Sequence, residues 1–398
     1  MIIGVLGLPG HALPAIALAR ELDARGHDVL VHTFERWRGV LEDLGLRFAG
    51  GPDRIVTSSD AGGVHAPTVL DTVRSLRAGI RDFGPDFVVS DGLTLTPALA
   101  AEAEGVRHAT LFPEAYPIHA PGLPFFNLGL FPPRTSLGAA AWRAIGPLLG
   151  TRLPSTRWLR WASKRLNEDR AQLGLPPRQG FDRPVSEGLT MVATFPQLEY
   201  PRRWPPDVHV TGPMIFDPPH ADVELPDGPE PLVLIAPSTV KDLERRLLRI
   251  ALEALADEPV RVLATMSGAG EPLSRPVPEN AALVDWLSYA QVMPRASLVV
   301  CSGTHGTVVK ALSEGVPLVV GPAMPDDAEH GARVAWAGAG LMVPKPLLKP
   351  GSLLVAVRRV LADPRFAARA REIAAWGQGN DGAARGAALV ERYAGWRR

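Results

Sequence analysis

The run DWLSYAQVMPRASLVVCSGTHGTVVKALSEGVPLVVGPAMPDDAEHGARV, Asp285 to Val334, puts an aromatic, an apolar strand, a small-residue turn, a helix start and an acidic loop into one unit. Leu298 to Cys301 reads as a buried parallel strand, which Ser302-Gly303-Thr304-His305-Gly306-Thr307 turns sharply into the helical pattern Val308 to Gly315. A second strand, Val316 to Val320, follows at once. The unpaired N–H groups and partial positive charge of such a helix start suit a pyrophosphate, and Gly303 and Gly306 permit its close approach. Many α/β folds use glycine there only to pack helix against sheet. Trp286 upstream, able to stack on a base, and Asp326-Asp327 downstream, able to accept from sugar hydroxyls, favour the binding reading. Base, phosphate and sugar are then addressed in that order.

The N-terminus reads as a βαβ unit. Ile2 to Leu6 is a short apolar strand, GLPGHALP (Gly7 to Pro14) a turn, and Ile16, Ala17, Ala19 and Leu22 recur at helical spacing. Gly26-His27 closes that helix, and Asp28 to Thr33 reads as the next strand. His11 therefore lies at the carboxyl edge of an open sheet, where such sheets bind ligands. Asp91 ends another apolar strand, Phe87 to Ser90, ahead of a helical segment near Pro97. Taken singly, a loop histidine is more often a surface residue and a strand-end aspartate a turn cap.

Together these segments resemble the nucleotide-sugar glycosyltransferases of GT-B architecture, in particular the actinobacterial natural-product and macrolide enzymes related to the UDP-glycosyltransferases. The resemblance covers most of the chain. In that family the turn reads HGG-x-G-T, after a W-x-P-Q-like segment and before P-x-x-x-D-Q-x-x-N. Trp286, Gly303, Gly306, Thr307 and Asp326 match. Ser302 stands for the phosphate-binding histidine, Thr304 for a glycine, Asp327 for the sugar-binding glutamine, His330 for the asparagine and Lys310 for a ribose-binding glutamate. A serine hydroxyl can still donate to phosphate, and Lys310 can add charge. His305 falls at a variable position and is expected to face solvent. Gly10-His11-Ala12-Leu13-Pro14 matches the family's GHxxP, and Val88-Val89-Ser90-Asp91 its V-x-x-D, so the resemblance makes His11 the catalytic base and Asp91 its partner.

The implied fold class is α/β, with two Rossmann-like doubly wound domains facing across a cleft. The implied reaction is inverting, metal-independent transfer from a TDP- or UDP-sugar to a hydroxyl of a small hydrophobic acceptor. A nucleotide-sugar epimerase and a non-catalytic accessory relative are the alternatives. No D-x-D motif occurs, and two adjacent carboxylates argue weakly for a metal site, so no metal or other cofactor is expected.

Residues 1–213 are expected to bind acceptor, and 214–231, rich in proline and acid, to link the domains. Residues 232–376 would bind donor, with Ser238 and Thr239 in the first turn as donor contacts or helix caps. The segment 377–398 would cross back onto the first domain. Between Ala115 and Pro133 the chain carries no charge after Glu114 and repeated prolines, which rule out a spanning helix. Tyr116, Phe125, Phe126 and Phe131 in this loop are candidate acceptor contacts, a wall suited to a polyketide-like aglycone; a satellite core is the competing reading. Trp142, Trp158 and Trp161 follow at helical spacing.

With 398 residues, 46% hydrophobic, two packed domains are expected. Formal net charge is zero and no basic stripe interleaves with aromatics, which argues against nucleic acid. Cys301, the only cysteine, excludes an internal disulfide. No signal-peptide pattern opens the chain, so a cytoplasmic location is expected. Oligomeric state leaves no mark.

Overall fold

A computed structural model describes residues 1–51, 69–152, 154–178, 188–219, 222–238, 244–266, 273 and 276–396. Strands β1 (Ile2–Gly4), β2 (Leu30–Phe34), β3 (Arg47–Gly51), β4 (Phe87–Asp91), β5 (Arg107–Phe112), β6 (Thr190–Val192) and β7 (Val208–Val210) form one sheet, ordered β3-β2-β1-β4-β5-β6-β7. Every pairing is parallel. Its central strands are near-continuous apolar runs because helices cover both faces. The helices of this domain are α1 (Pro9–Ala24), α2 (Arg38–Asp43), α3 (Val69–Phe83), α4 (Thr96–Ala103), α5 (Ser136–Arg152) and α6 (Pro154–Gln172).

The second sheet comprises β8 (Leu232–Ala236), β9 (Arg261–Thr265), β10 (Ala281–Val284), β11 (Leu298–Cys301), β12 (Leu318–Val320) and β13 (Gly340–Met342). It is also parallel, in the order β10-β9-β8-β11-β12-β13. Helices α7 (Arg246–Leu255), α8 (Tyr289–Val292), α9 (His305–Ser313), α10 (Pro325–Ala337), α11 (Pro350–Ala362) and α12 (Pro364–Gln378) belong to it. The last helix, α13 (Gly382–Ala394), lies on the first sheet instead: Ala387, Val390 and Ala394 join the core of Ile16, Leu18 and Met191. Arg25 and His27, past the end of α1, meet Glu391 at 3.1 Å each.

Strand order reverses between β1 and β4 in the first sheet and between β8 and β11 in the second. The loops leaving the carboxyl ends of these four strands diverge and open a crevice, the place where open α/β sheets hold ligands. His11, Asp91, Ser238 and Ser302 all follow from these strands. Among the described residues no helix is long and apolar enough to cross a membrane.

Two element boundaries differ from the sequence reading. Gly7 to Pro14 is not a turn: α1 begins at Pro9, whose missing N–H costs nothing at the first helical position, so His11 sits in the first helical turn. Asp326-Asp327 is not a loop either, since it forms the first turn of α10 behind Pro325, where carboxylates complement the helix dipole.

Candidate active site

Asp91 closes β4 and is 2% exposed. Its Oδ2 accepts from the Leu6 N–H at 3.1 Å and lies 2.9 Å from His11 Nδ1, while Oδ1 accepts from the Leu93 N–H at 2.8 Å. Burial alone would raise this carboxyl, but His11 and the two backbone donors outweigh it and hold its pKa below the ordinary carboxylate value. An ionised Asp91 accepts from His11 Nδ1–H, which fixes the tautomer and leaves Nε2 as the basic nitrogen. The two residues lie 80 apart in the chain and meet because β1, which leads into α1, pairs with β4.

Across the interface, α9 starts directly behind the Ser302-Gly303-Thr304 turn. Gly303 has φ +101°, and a Cβ there would come within 2.6 Å of the Asp327 carbonyl, so no other residue fits without displacing α10. A Cβ on Gly306 would meet nothing within 4 Å, which leaves space at the helix start. Thr304 Oγ1 and Thr307 Oγ1 are 3.0 Å apart, and Thr307 also meets the Tyr289 hydroxyl. Trp286, just past β10, is a large aromatic side chain that is 53% exposed. Helix α9 packs against α1, which brings the turn to the side of the molecule that carries His11.

Residues 249–383 match the family model "Erythromycin biosynthesis protein CIII-like, C-terminal domain". Over 91% of this chain and 92% of the relative, the sequence is 30% identical to 4'-demethylrebeccamycin synthase of Lentzea aerocolonigenes. The chain belongs to the EryCIII-like glycosyltransferase family. Its fold matches the glycotransferase of kitacinnamycin with a TM-score of 0.76 at 20% identity, covering 98% of both chains. The glycosyltransferase VinC, solved in complex with dTDP, matches with a TM-score of 0.68 at 21% identity over 99% of both. The protein is thus a GT-B glycosyltransferase.

Several sequence-derived site residues of this glycosyltransferase sit elsewhere than expected. Asp327 is fully buried, and its Oδ2 accepts from the Met324 N–H at 3.1 Å, so it caps α10 and is withdrawn from the cleft. Asp326, its neighbour, is part-exposed. Tyr116 is buried in a small core: it packs against Phe112 and Trp204, both with ring centroids at 5.5 Å. Lys310 forms a 2.7 Å ion pair with Asp217 of the linker and so is committed away from the phosphate turn. His305 does not face solvent. It is buried with Nε2 3.4 Å from the Ala193 carbonyl of the first domain, and burial, with His330 beside it, holds its pKa well below the ordinary histidine value.

Ser302 is fully buried, and its hydroxyl finds no hydrogen-bond partner among the described residues. Ser238 is buried at the end of β8, while Thr239 lies outside the described residues, as do the side chains of Trp158 and Trp161. Phe125 stacks on His119 with centroids 4.2 Å apart, Phe126 lies edge-on to His330 at 6.3 Å, and Phe131 is exposed. Leu93 was not picked out from sequence. Its backbone is bonded to Asp91 and its side chain is exposed, so it is apolar surface next to the dyad, a position that only the β4 turn defines.

Proposed function

We propose that this glycosyltransferase moves a sugar, with inversion, from a TDP- or UDP-sugar to a hydroxyl of a small hydrophobic natural-product acceptor. The observation that carries the reading is the 2.9 Å His11–Asp91 pair at one switch point, on the side of the first domain where the start of α9 packs. His11 Nε2 takes the acceptor proton as the oxygen attacks the anomeric carbon, and Asp91 stabilises the imidazolium that forms. The bond to the nucleoside diphosphate breaks on the opposite face. Charge developing on the leaving phosphate is met by the N–H groups of the turn and by Thr304 and Thr307, which needs no metal.

In this reading Trp286 stacks on the base, and Asp326, with Ser238 near the phosphates, completes the donor contacts. Thymidine diphosphate in the fold neighbour VinC supports a TDP-sugar. Exposed Leu93, Leu128, Leu130 and Phe131, with half-buried Phe125 and Phe126, support an apolar acceptor. The experiment is His11→Ala assayed with a non-phenolic alcohol as acceptor. Loss of the base lowers turnover by about 10²–10⁴-fold while nucleotide binding persists. Wild-type turnover by this variant, or a product that retains the donor's anomeric configuration, overturns the reading.

A further inference from the structure

Besides the capping Asp327, helix α10 carries three buried charged or titratable side chains, Glu329, His330 and Arg333, each no more than 4% exposed. They lead to three different places. His330 Nδ1 lies 3.0 Å from the Gly303 carbonyl, inside the phosphate turn, and its Nε2 is 3.9 Å from Glu114 of the first domain. Arg333 donates to the Leu198 carbonyl at 3.0 Å and to Glu199 Oε2 at 2.9 Å, both in the first domain, and its Nε reaches Glu329 Oε1 at 3.0 Å. Glu329 Oε2 accepts from the Gly129 N–H at 3.3 Å.

The loop from Glu114 to Leu130 is therefore held at both ends. At its start Glu199 Oε1 accepts from the Tyr116 N–H at 2.8 Å. At its end the Tyr200 hydroxyl donates to the Leu130 carbonyl at 3.0 Å. Between these points Arg333 lies over the Phe126 ring, which is edge-on to His330, and also 4.4 Å above the Tyr200 ring. Ionic groups this deeply buried are costly unless fully paired, and a simple contact between domains is made as well or better by apolar side chains. What the network does that apolar packing cannot is fix one arrangement of turn, helix and loop together, because each polar group has only one set of partners.

We propose that α10 couples the nucleotide turn to the loop 114–130, with Arg333, Glu329 and Tyr200 as positioning residues that set the loop when nucleotide sets the turn. This rests on the proposed reading, in which the turn holds the diphosphate and the loop covers the acceptor. The donor side would then order the acceptor side through backbone carbonyls and buried charge, with no residue of the network touching the reacting atoms.

The test is hydrogen exchange of the whole protein with thymidine diphosphate, and uridine diphosphate in parallel, on wild type, Tyr200→Phe and Glu329→Gln. Nucleotide is expected to slow exchange at 303–307 in all three proteins. In wild type it also slows amides of 125–131 by about 5-fold or more, the lower end of usual coupling. Either substitution removes most of that second effect and raises acceptor KM by at least about 2-fold, the worth of one weak hydrogen bond, while nucleotide still slows 303–307. Slowing confined to 303–307 in wild type overturns the coupling and leaves the functional reading intact. A loop response retained in both variants also overturns it. No slowing at 303–307 with either nucleotide overturns the functional reading and the coupling with it.

Discussion

His305 occupies the turn that the nucleotide reading depends on, yet its ring is buried between two domains, 4.8 Å from His330. With its folded pKa lowered and its unfolded pKa near 6.5, the unfolded chain takes up a proton that the folded one refuses. Stability from this site is complete above about pH 6.5 and falls as pH drops below it, by up to about 1.4 kcal/mol per unit. Urea unfolding at pH 7, 6 and 5 should give wild type a steeper loss than His305→Gln. Parallel curves would mean that folding leaves the affinity of His305 for a proton unchanged. Trp286 is the opposite case, exposed where His305 is enclosed. Trp286→Ala should weaken nucleoside diphosphate binding by roughly 1–3 kcal/mol, as loss of base stacking does. Equal affinity in calorimetry would remove Trp286 from the site.

At the scale of elements, Asp217 ties the linker to two helices of the second domain. Asp217 Oδ1 accepts from Lys310 on α9 at 2.7 Å, and its Oδ2 accepts from the Ser288 hydroxyl at 2.8 Å and the Ala290 N–H at 2.9 Å, at the start of α8. Linker, α8 and α9 thereby keep a set spacing, with Trp286 just before α8. Both side chains are mostly removed from water, so losing one strands the other. Asp217→Ala should destabilise by about 1.5–3 kcal/mol, and Asp217→Ala with Lys310→Met by less than the sum of the singles. Strict additivity in denaturant unfolding would show that the two residues act apart. In the adjacent strand, Cys301 is fully buried, and burial pushes its thiol up to about 12, which makes it a core residue with no thiolate at neutral pH.

Over the whole molecule the chain passes between domains near Gly212-Pro213 and again before α13. The two crossings lie side by side: a Cβ on Gly382 would come 2.3 Å from the Pro213 carbonyl and 2.4 Å from that of Gly212. Backbone cannot yield as a flexible side chain can. Gly382→Ala should therefore cost about 1–3 kcal/mol, the usual penalty of overpacking, and lower Tm. Gly351→Ala, where a Cβ meets nothing within 4 Å, is the control. Equal Tm for both variants would show that the crossings separate freely.

Two βα series, the Leu298–Cys301 strand with its turn and helix, and His11 and Asp91 as strand-end groups were legible because each depends on residues close together in sequence. Apolar runs, glycine spacing and cap chemistry act locally, and the parallel sheet and its switch points follow from their order. Partners were not legible. Asp327 turns back to cap its own helix, Tyr116 enters a core with Trp204, Lys310 is captured by Asp217, and Arg333 meets Glu199 from 134 residues away. Burial and ion pairing are set by which surfaces the two domains press together, and these come from separated parts of the chain. The sequence by itself therefore determined the fold and the chemical types at the site, while only the tertiary structure decided which of those groups face the cleft and which hold the domains in place.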